Sequence, residues 1–217
     1  MNQTLDSFSP KCRRCSRLAA FLRDIRREQP GYYARPVPSF GAQLPRLLVV
    51  GLAPGLHGAN RTGRPFTGDH AGLLLYRMLH RFGFASDSES RSERDGLRLI
   101  DCRITNAVRC VPPQNKPTLQ EIRTCNRYLR DELALLPADA AILALGTVAH
   151  GAVLAASGLR PSAYRFRHGV QHALPSGARL FDSYHCSRYK SQTGRLTEAM
   201  FISVFSDIAG FLDRSRG

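Results

Sequence analysis

Short apolar runs alternate with longer amphipathic segments along this chain, and the alternation predicts its elements. A basic segment, Arg13 to Gln29, has helical character and stops at Pro30-Gly31, where a fixed φ and a missing Cβ end helices. Pro36, Pro38 and Pro45 make Gly31–Pro45 an irregular connection. Arg46 to Val50 is a continuous apolar run bounded by turn signals, the pattern of a strand buried on both faces. The 19 residues that follow, Gly51 to Asp69, hold five glycines and two prolines, and loops of this length in compact domains are commonly functional. Leu74, Leu75, Met78 and Leu79 predict a helix over 71–82, and the charged stretch 86–96 reads as a surface excursion.

Leu97 to Val108 reads as a second strand and Val111 to Pro117 as a Pro-rich loop. Thr118 is the expected cap of a helix running to Leu136, with Glu121 three residues later completing a capping box. Ala140–Leu145 is a third apolar strand, and Gly146-Thr147 turns into an Ala-rich helix ending near Gly158. Arg179–Tyr184 is a fourth strand, and Phe201, Phe205, Ile208 and Leu212 mark the packed face of a closing helix over 197–213. Strands alternating with helices imply an α/β fold, a three-layer α/β/α sandwich around a short, mostly parallel central sheet. Such sheets bind ligands at the carboxyl ends of their strands, so the loops after Val50, Val108 and Tyr184 should converge on one cleft.

Composition narrows the class. The 217 residues suit one domain, 1–217, with a cysteine-bearing basic segment at 1–30. A hydrophobic share of 43% excludes wholesale disorder. No stretch approaches the roughly 18 apolar residues of a membrane span, and the first residues lack the apolar core of a secretory signal, so a cytoplasmic protein with no membrane partner is expected. The formal charge of +14 favours a polyanionic partner, because neutralised phosphates release counterions. Of the 31 basic residues 28 are Arg, a skew that GC-rich codon usage produces without selection for binding, so charge alone does not name that partner.

Six cysteines in a cytoplasmic chain argue against a disulfide framework. Cys12 and Cys15 form a C-x2-C beside the basic helix, and Cys110 and Cys125 form a second, wider pair. Four thiolates brought together hold zinc or an iron–sulfur cluster, and spacing alone does not separate the two. The competing reading is of scattered buried cysteines packed as small hydrophobes, which suits Cys102 and Cys186.

The loop 51–69 has neither the P-loop pattern nor a helix starting inside its glycine run, so it is no dinucleotide fingerprint. It offers backbone able to approach a ligand, the ring of Phe66, and Asp69, the sole carboxylate between Gly51 and Tyr76. The plainer reading makes Phe66 a core residue and Asp69 the cap of the next helix.

Three ordered motifs lie along the chain: GLAPGLHGANRTGRPFTGD at 51–69, TNAVRCVPPQNKP at 105–117 and HCSRYKSQTGRLT at 185–197. Together with the four cysteines they resemble the uracil-DNA glycosylase superfamily, and within it the type 5, or B-type, branch. The resemblance runs from Cys12 to the C-terminal helix. The type 4 branch is similar in GRPF and the cysteines but carries an acidic residue where Leu52 stands and lacks the Thr67-Gly68-Asp69 ending.

The resemblance implies a monofunctional base-excision enzyme that hydrolyses the N-glycosidic bond of uracil, and of hypoxanthine or other deaminated bases, in DNA, and that carries a 4Fe-4S cluster on Cys12, Cys15, Cys110 and Cys125. It implies Phe66 as the ring that stacks on the flipped base, Asn106 as the base-edge contact, His185 as the donor at uracil O2 and Asp69 as the group that positions water. Backbone N–H groups of the loop, at Gly51, Ala53 and Gly55, are further base contacts. Arg188, Tyr189 and Lys190 are expected at DNA, with Tyr189 as the duplex wedge; Cys186, where related motifs often carry proline, departs from the pattern. Arg13, Arg14 and Arg17 read equally as phosphate contacts or as a solvated basic helix face, and a monomer is expected. Two alternatives stand beside this: a non-enzymatic iron–sulfur DNA-binding or redox-sensing protein, which needs no Asp69, Asn106 and His185, and a metal-dependent nucleotide hydrolase, which needs His or carboxylate ligands near the cleft.

Overall fold

The computed structural model describes residues 8–186 and 196–214. Six strands form one sheet in the order β1-β3-β2-β4-β6-β5. They are β1 (Phe40–Gly41), β2 (Leu47–Gly51), β3 (Cys102–Asn106), β4 (Ala141–Leu145), β5 (Gln171–Ala173) and β6 (Arg179–Ser183). The four central strands are mutually parallel, and β1 and β5 close the two edges antiparallel.

The period of two along each strand sorts the apolar side chains into two layers. Leu47 and Val49 of β2, Leu143 of β4 and Phe181 of β6 pack on α3 (His70–Arg81) and α6 (Glu198–Arg214), through Leu75, Met78, Phe201 and Phe205. Leu48, Val50, Ile142, Ala144 and Leu180 face the other way, onto α5 (Thr147–Ala156) and Leu129 of α4 (Leu119–Ala134). The fold is the expected three-layer α/β/α sandwich with a mostly parallel sheet. A third apolar cluster joins Leu18, Leu22 and Ile25 of α1 (Ser16–Glu28) to Val108, Cys110, Cys125 and Tyr128, so the N-terminal basic helix docks against α4.

Thr118 caps α4 through the Glu121 N–H while the Glu121 carboxylate takes the Thr118 N–H, the reciprocal capping box expected. Three expectations are corrected. The second strand covers only 102–106: Asp101 has φ +50, which breaks the run, and Leu99 makes an isolated bridge to Ala85 instead. The Pro-rich connection contains the edge strand β1, and the 51–69 loop contains one helical turn, α2 (Ala59–Thr62). The polar strand β5 had no apolar pattern to reveal it, since an edge strand needs only its partner's ladder.

Candidate active site

The carboxyl ends of β2 and β3 stop side by side, with Gly51 in register with Asn106. The chain leaving β6 at Ser183 brings Tyr184 and His185 to the same end of the sheet, and α3 starts there at His70. Between them is a cleft of about 430 Å³ lined by Leu52, Ala53, Gly55, Phe66, Asp69, Asn106 and His185, with Ala59, His70, Ala71 and Asn115 completing the wall. Three segments far apart in sequence thus supply one site, as the parallel topology predicts.

Phe66 is 6% exposed and takes a left-handed backbone conformation, φ +53, that a bulky residue rarely adopts. Its ring lies roughly parallel to that of His185, centroids 6.1 Å apart and planes 28° from parallel. Gly51 makes this packing possible: a Cβ there would fall 2.4 Å from Asn106 Oδ1 and 2.7 Å from Phe66 Cζ. Asn106 is 3% exposed, and its Oδ1 is buried without a hydrogen-bond partner. An amide acceptor left unsatisfied costs about 1–3 kcal/mol, a cost that a ligand N–H can remove.

Asp69 fulfils the capping reading and lines the cleft as well. Its Oδ1 accepts the Gly72 N–H at 2.9 Å as the N-cap of α3. Its Oδ2 lies on the side of Gly55 and Gly58, where a Cβ at Gly58 would come within 2.5 Å of it. The cap fixes the carboxylate's orientation, and the helix N-terminus favours its charge. Gly72 and Asn115 were not singled out in the sequence; the close approaches at Gly58 and Gly72 exist only once the loop is folded over α3.

The loop holding Phe66 is braced from outside. Arg64 donates to Asp95 at 2.7 Å, to the Glu93 carbonyl at 2.6 Å and to Ser90 at 3.1 Å, while Thr67 and Ser90 share a 2.6 Å hydrogen bond. Burial works against the Asp95 charge, but the Arg64 guanidinium and the N–H groups of Ser92, Leu97 and Arg91 outweigh it and hold the carboxyl down at about 2. The 86–96 excursion is therefore exposed, as expected, but it also clamps the loop. Tyr76 donates to the Pro65 carbonyl at 2.9 Å from within the core, where burial pushes its hydroxyl up to about 12.

Behind Asn106, the neighbouring Thr105 hydroxyl donates to Glu132 at 2.8 Å. Glu132 also receives Arg109 at 2.7 Å and Arg103 at 2.8 Å, and Ser39 bonds to the same carboxylate. Burial would raise the Glu132 carboxyl, yet the two guanidiniums keep it below its ordinary value. This buried polar knot ties the end of β3 to α4.

Cys12, Cys15, Cys110 and Cys125 line one small cavity together with Val108 and Tyr128, so the two cysteine pairs converge as expected. Burial and the neighbouring sulfurs push the Cys110 thiol up, and burial raises Cys125 to about 11, so a cationic centre is what would favour thiolates here. Among the described residues only His150, His172 and Asp182 bring three metal-ligating atoms within 4.8 Å of one another. Cys102 and Cys186 are fully buried and stand in the main core, as expected. None of His150, His172 and Asp182 lines the cleft.

Arg17, whose side chain is 43% exposed, forms a 2.7 Å ion pair with Glu121 and donates to the Lys116 carbonyl. Arg13 and Arg14 are exposed. Arg188, Tyr189 and Lys190 lie outside the described residues.

The family model of the uracil DNA glycosylase superfamily matches residues 38–209, a span that contains the whole cleft. The chain belongs to that superfamily. It is 50% identical over 202 residues to the type-5 uracil-DNA glycosylase of Thermus thermophilus, covering 90% of this chain and 91% of the relative. The type-5 uracil-DNA glycosylase of Mycobacterium leprae is 46% identical over 205 residues, with 90% and 89% covered, and that of Pyrobaculum aerophilum 42% over 191 residues, with 86% and 82% covered. A type-4 uracil-DNA glycosylase of Pyrobaculum aerophilum is 34% identical over 130 residues, 59% of this chain and 58% of the relative. The longer and stronger similarity lies with the type-5 glycosylases, in agreement with Leu52 and the Thr67-Gly68-Asp69 ending. No helix among the described residues is long and apolar enough to cross a membrane.

Proposed function

We propose that the protein is a monofunctional DNA glycosylase of base-excision repair that hydrolyses the N-glycosidic bond of uracil and related deaminated bases. The observation that carries this is the unpartnered, buried Oδ1 of Asn106, set beside the Phe66 ring in a cleft that also holds Asp69 and His185. The bond is out of reach inside a stacked duplex, so the nucleotide must be flipped at a cost of a few kcal/mol, and stacking on Phe66 returns about 1–3 kcal/mol. Asn106 Oδ1 accepts the uracil N3–H and its amide N–H donates to O4, a pairing that cytosine, with an acceptor at N3 and an amino group at C4, reverses.

Water then adds its oxygen to C1′ as the C1′–N1 bond breaks. The electron pair leaves on uracil, and the water proton is given up to Asp69 or to solvent. His185 donates toward O2 and Asn106 toward O4, where the negative charge develops, and Asp69 Oδ2 holds the water and stabilises the positive sugar. The N–H groups of Gly51, Ala53 and Gly55 are further donors along the loop.

Cys12, Cys15, Cys110 and Cys125 would hold a 4Fe-4S cluster, which supplies no step of the hydrolysis and fixes α1 to the 108–110 loop and α4. The choice of iron–sulfur over zinc rests on the similarity to the type-5 glycosylases. The chain is taken as one domain and a monomer in the cytoplasm, on the nucleoid of a prokaryote. Its DNA footprint includes Arg188, Tyr189 and Lys190. Incubation with uracil-, hypoxanthine- and unmodified duplexes, followed by alkaline cleavage of abasic sites, tests the activity: strand breaks are expected at uracil, and none in any modified duplex refutes it. A brown chromophore with iron and sulfide in the purified protein tests the cluster.

A further inference from the structure

Away from the cleft, at the β5 edge of the sheet, three polar side chains from three elements meet: His150 of α5, His172 of β5 and Asp182 of β6. Asp182 is fully buried, and its Oδ1 lies 2.8 Å from His150 Nδ1. His150 Nε2 sits 2.9 Å from the Tyr164 carbonyl, an acceptor only, so Nε2 carries a proton. In neutral imidazole Nδ1 then presents a lone pair to a carboxylate oxygen, and that contact is attractive only with a proton or a metal cation between them.

A second proton on His150 would settle this contact but not its neighbour. Asp182 Oδ2 and His172 Nε2 are both buried, both without a hydrogen-bond partner, and 3.4 Å apart. A single cation joined to His150 Nδ1, His172 Nε2 and Asp182 satisfies all of these atoms at once.

We infer that His150, His172 and Asp182 form a site for a divalent transition-metal ion of the zinc class, separate from the cysteine centre and from the cleft. The chemistry of the donors selects the ion: two imidazoles and one carboxylate suit Zn²⁺, Ni²⁺ or Cu²⁺ and discriminate against Ca²⁺ and Mg²⁺, which prefer oxygen alone. The Tyr164 carbonyl is the outer partner that metal-binding histidines ordinarily have, fixing the tautomer and the ring. The rings of Phe166 and Tyr164 pack edge-on against His150 and His172, each 5.6 Å between centroids, and wall the site. His172 keeps 13% of its side chain exposed, which gives an ion a way in. Binding pins α5, β5 and β6 together three residues upstream of His185, so the ion acts on stability and not on the reaction.

The test is metal analysis of the purified holoprotein after equilibrium dialysis against Zn²⁺, with iron counted in the same sample to monitor the cysteine centre. About one zinc per chain is expected in addition to the iron, with a rise in unfolding temperature that Mg²⁺ does not produce. His172→Ala should bind zinc at least about tenfold more weakly with iron unchanged, and His172→Gln, which keeps the bulk, should do the same. No zinc retained by the wild type, or as much zinc retained by both His172 variants as by the wild type, overturns the proposal. So does a zinc-treated spectrum in which both His150 ring nitrogens still carry protons, because the cluster is then held by hydrogen bonds alone.

Discussion

Asp69 accepts the Gly72 N–H with one carboxylate oxygen at 2.9 Å and turns the other toward Gly55 and Gly58 in the cleft. Structural and chemical duties thus fall on different oxygens of one side chain, and substitutions can separate them. Asn is as good an N-cap as Asp, so Asp69→Asn should leave stability within a few tenths of a kcal/mol while single-turnover uracil release falls about 10²- to 10⁴-fold. Asp69→Ala should lose release to a similar extent and about 1 kcal/mol of stability besides. Unchanged turnover in Asp69→Asn would remove the carboxylate from the chemistry.

Asn106 offers a second separation. Asn106→Ala removes the unsatisfied acceptor together with the donor, so the fold should lose little while release slows by about 2.7–4 kcal/mol, roughly 10²- to 10³-fold. Gly51→Ala should be harmful from the opposite side, since its new Cβ would push into Asn106 Oδ1 and the Phe66 ring. Urea unfolding beside single-turnover kinetics distinguishes the two effects.

The Arg64–Asp95 clamp predicts a pH signature. The Asp95 carboxyl, lowered to about 2, contributes stability that is fully present above its ordinary value of 3.8 and is lost as pH falls through about 2. Asp95→Asn should therefore be less stable than the wild type at pH 7, and the difference should shrink between about pH 4 and pH 2. A gap that stays constant through that window, measured by denaturant midpoints, would show that the charge is not what holds the loop.

Glu132, buried among Arg103, Arg109, Ser39 and Thr105, is a costly place to remove one partner. Glu132→Ala leaves two guanidiniums without their counter-charge and should destabilise by about 3–5 kcal/mol. Surface substitution of Arg27, which pairs with exposed Asp24, should change stability by less than about 1 kcal/mol.

Charge predicts salt dependence. Binding to an undamaged duplex should weaken with a log–log slope of about −0.9 for each phosphate neutralised. The number of phosphates should fall well short of the formal +14, because Arg64, Arg103 and Arg109 are spent on carboxylates inside the protein.

Sequence periodicity located every long helix and all four central strands, because burying one helical stripe or both faces of a parallel strand imposes a pattern that single residues report. It did not reveal β1 or β5, which are two and three residues long and need only a neighbour's ladder. The motifs pointed to Phe66, Asp69, Asn106 and His185, and the four cysteines, before any coordinates. They could not show that Asp69 is cap and cleft residue together, that Arg17 is taken by Glu121, or that Ser90 and Asp95 clamp the loop bearing Phe66.

By itself, then, the sequence determined the layered architecture, the superfamily and the side chains that converge on the cleft, since local pattern and motif order carry those. Only the tertiary structure decided which charges remain free for a partner, which oxygen of Asp69 faces the cleft, why Gly51 and Gly72 admit no side chain, and that His150, His172 and Asp182 meet. Each of these is a contact between residues that the chain keeps well apart or a matter of side-chain direction, and distances of that kind are set by packing in three dimensions.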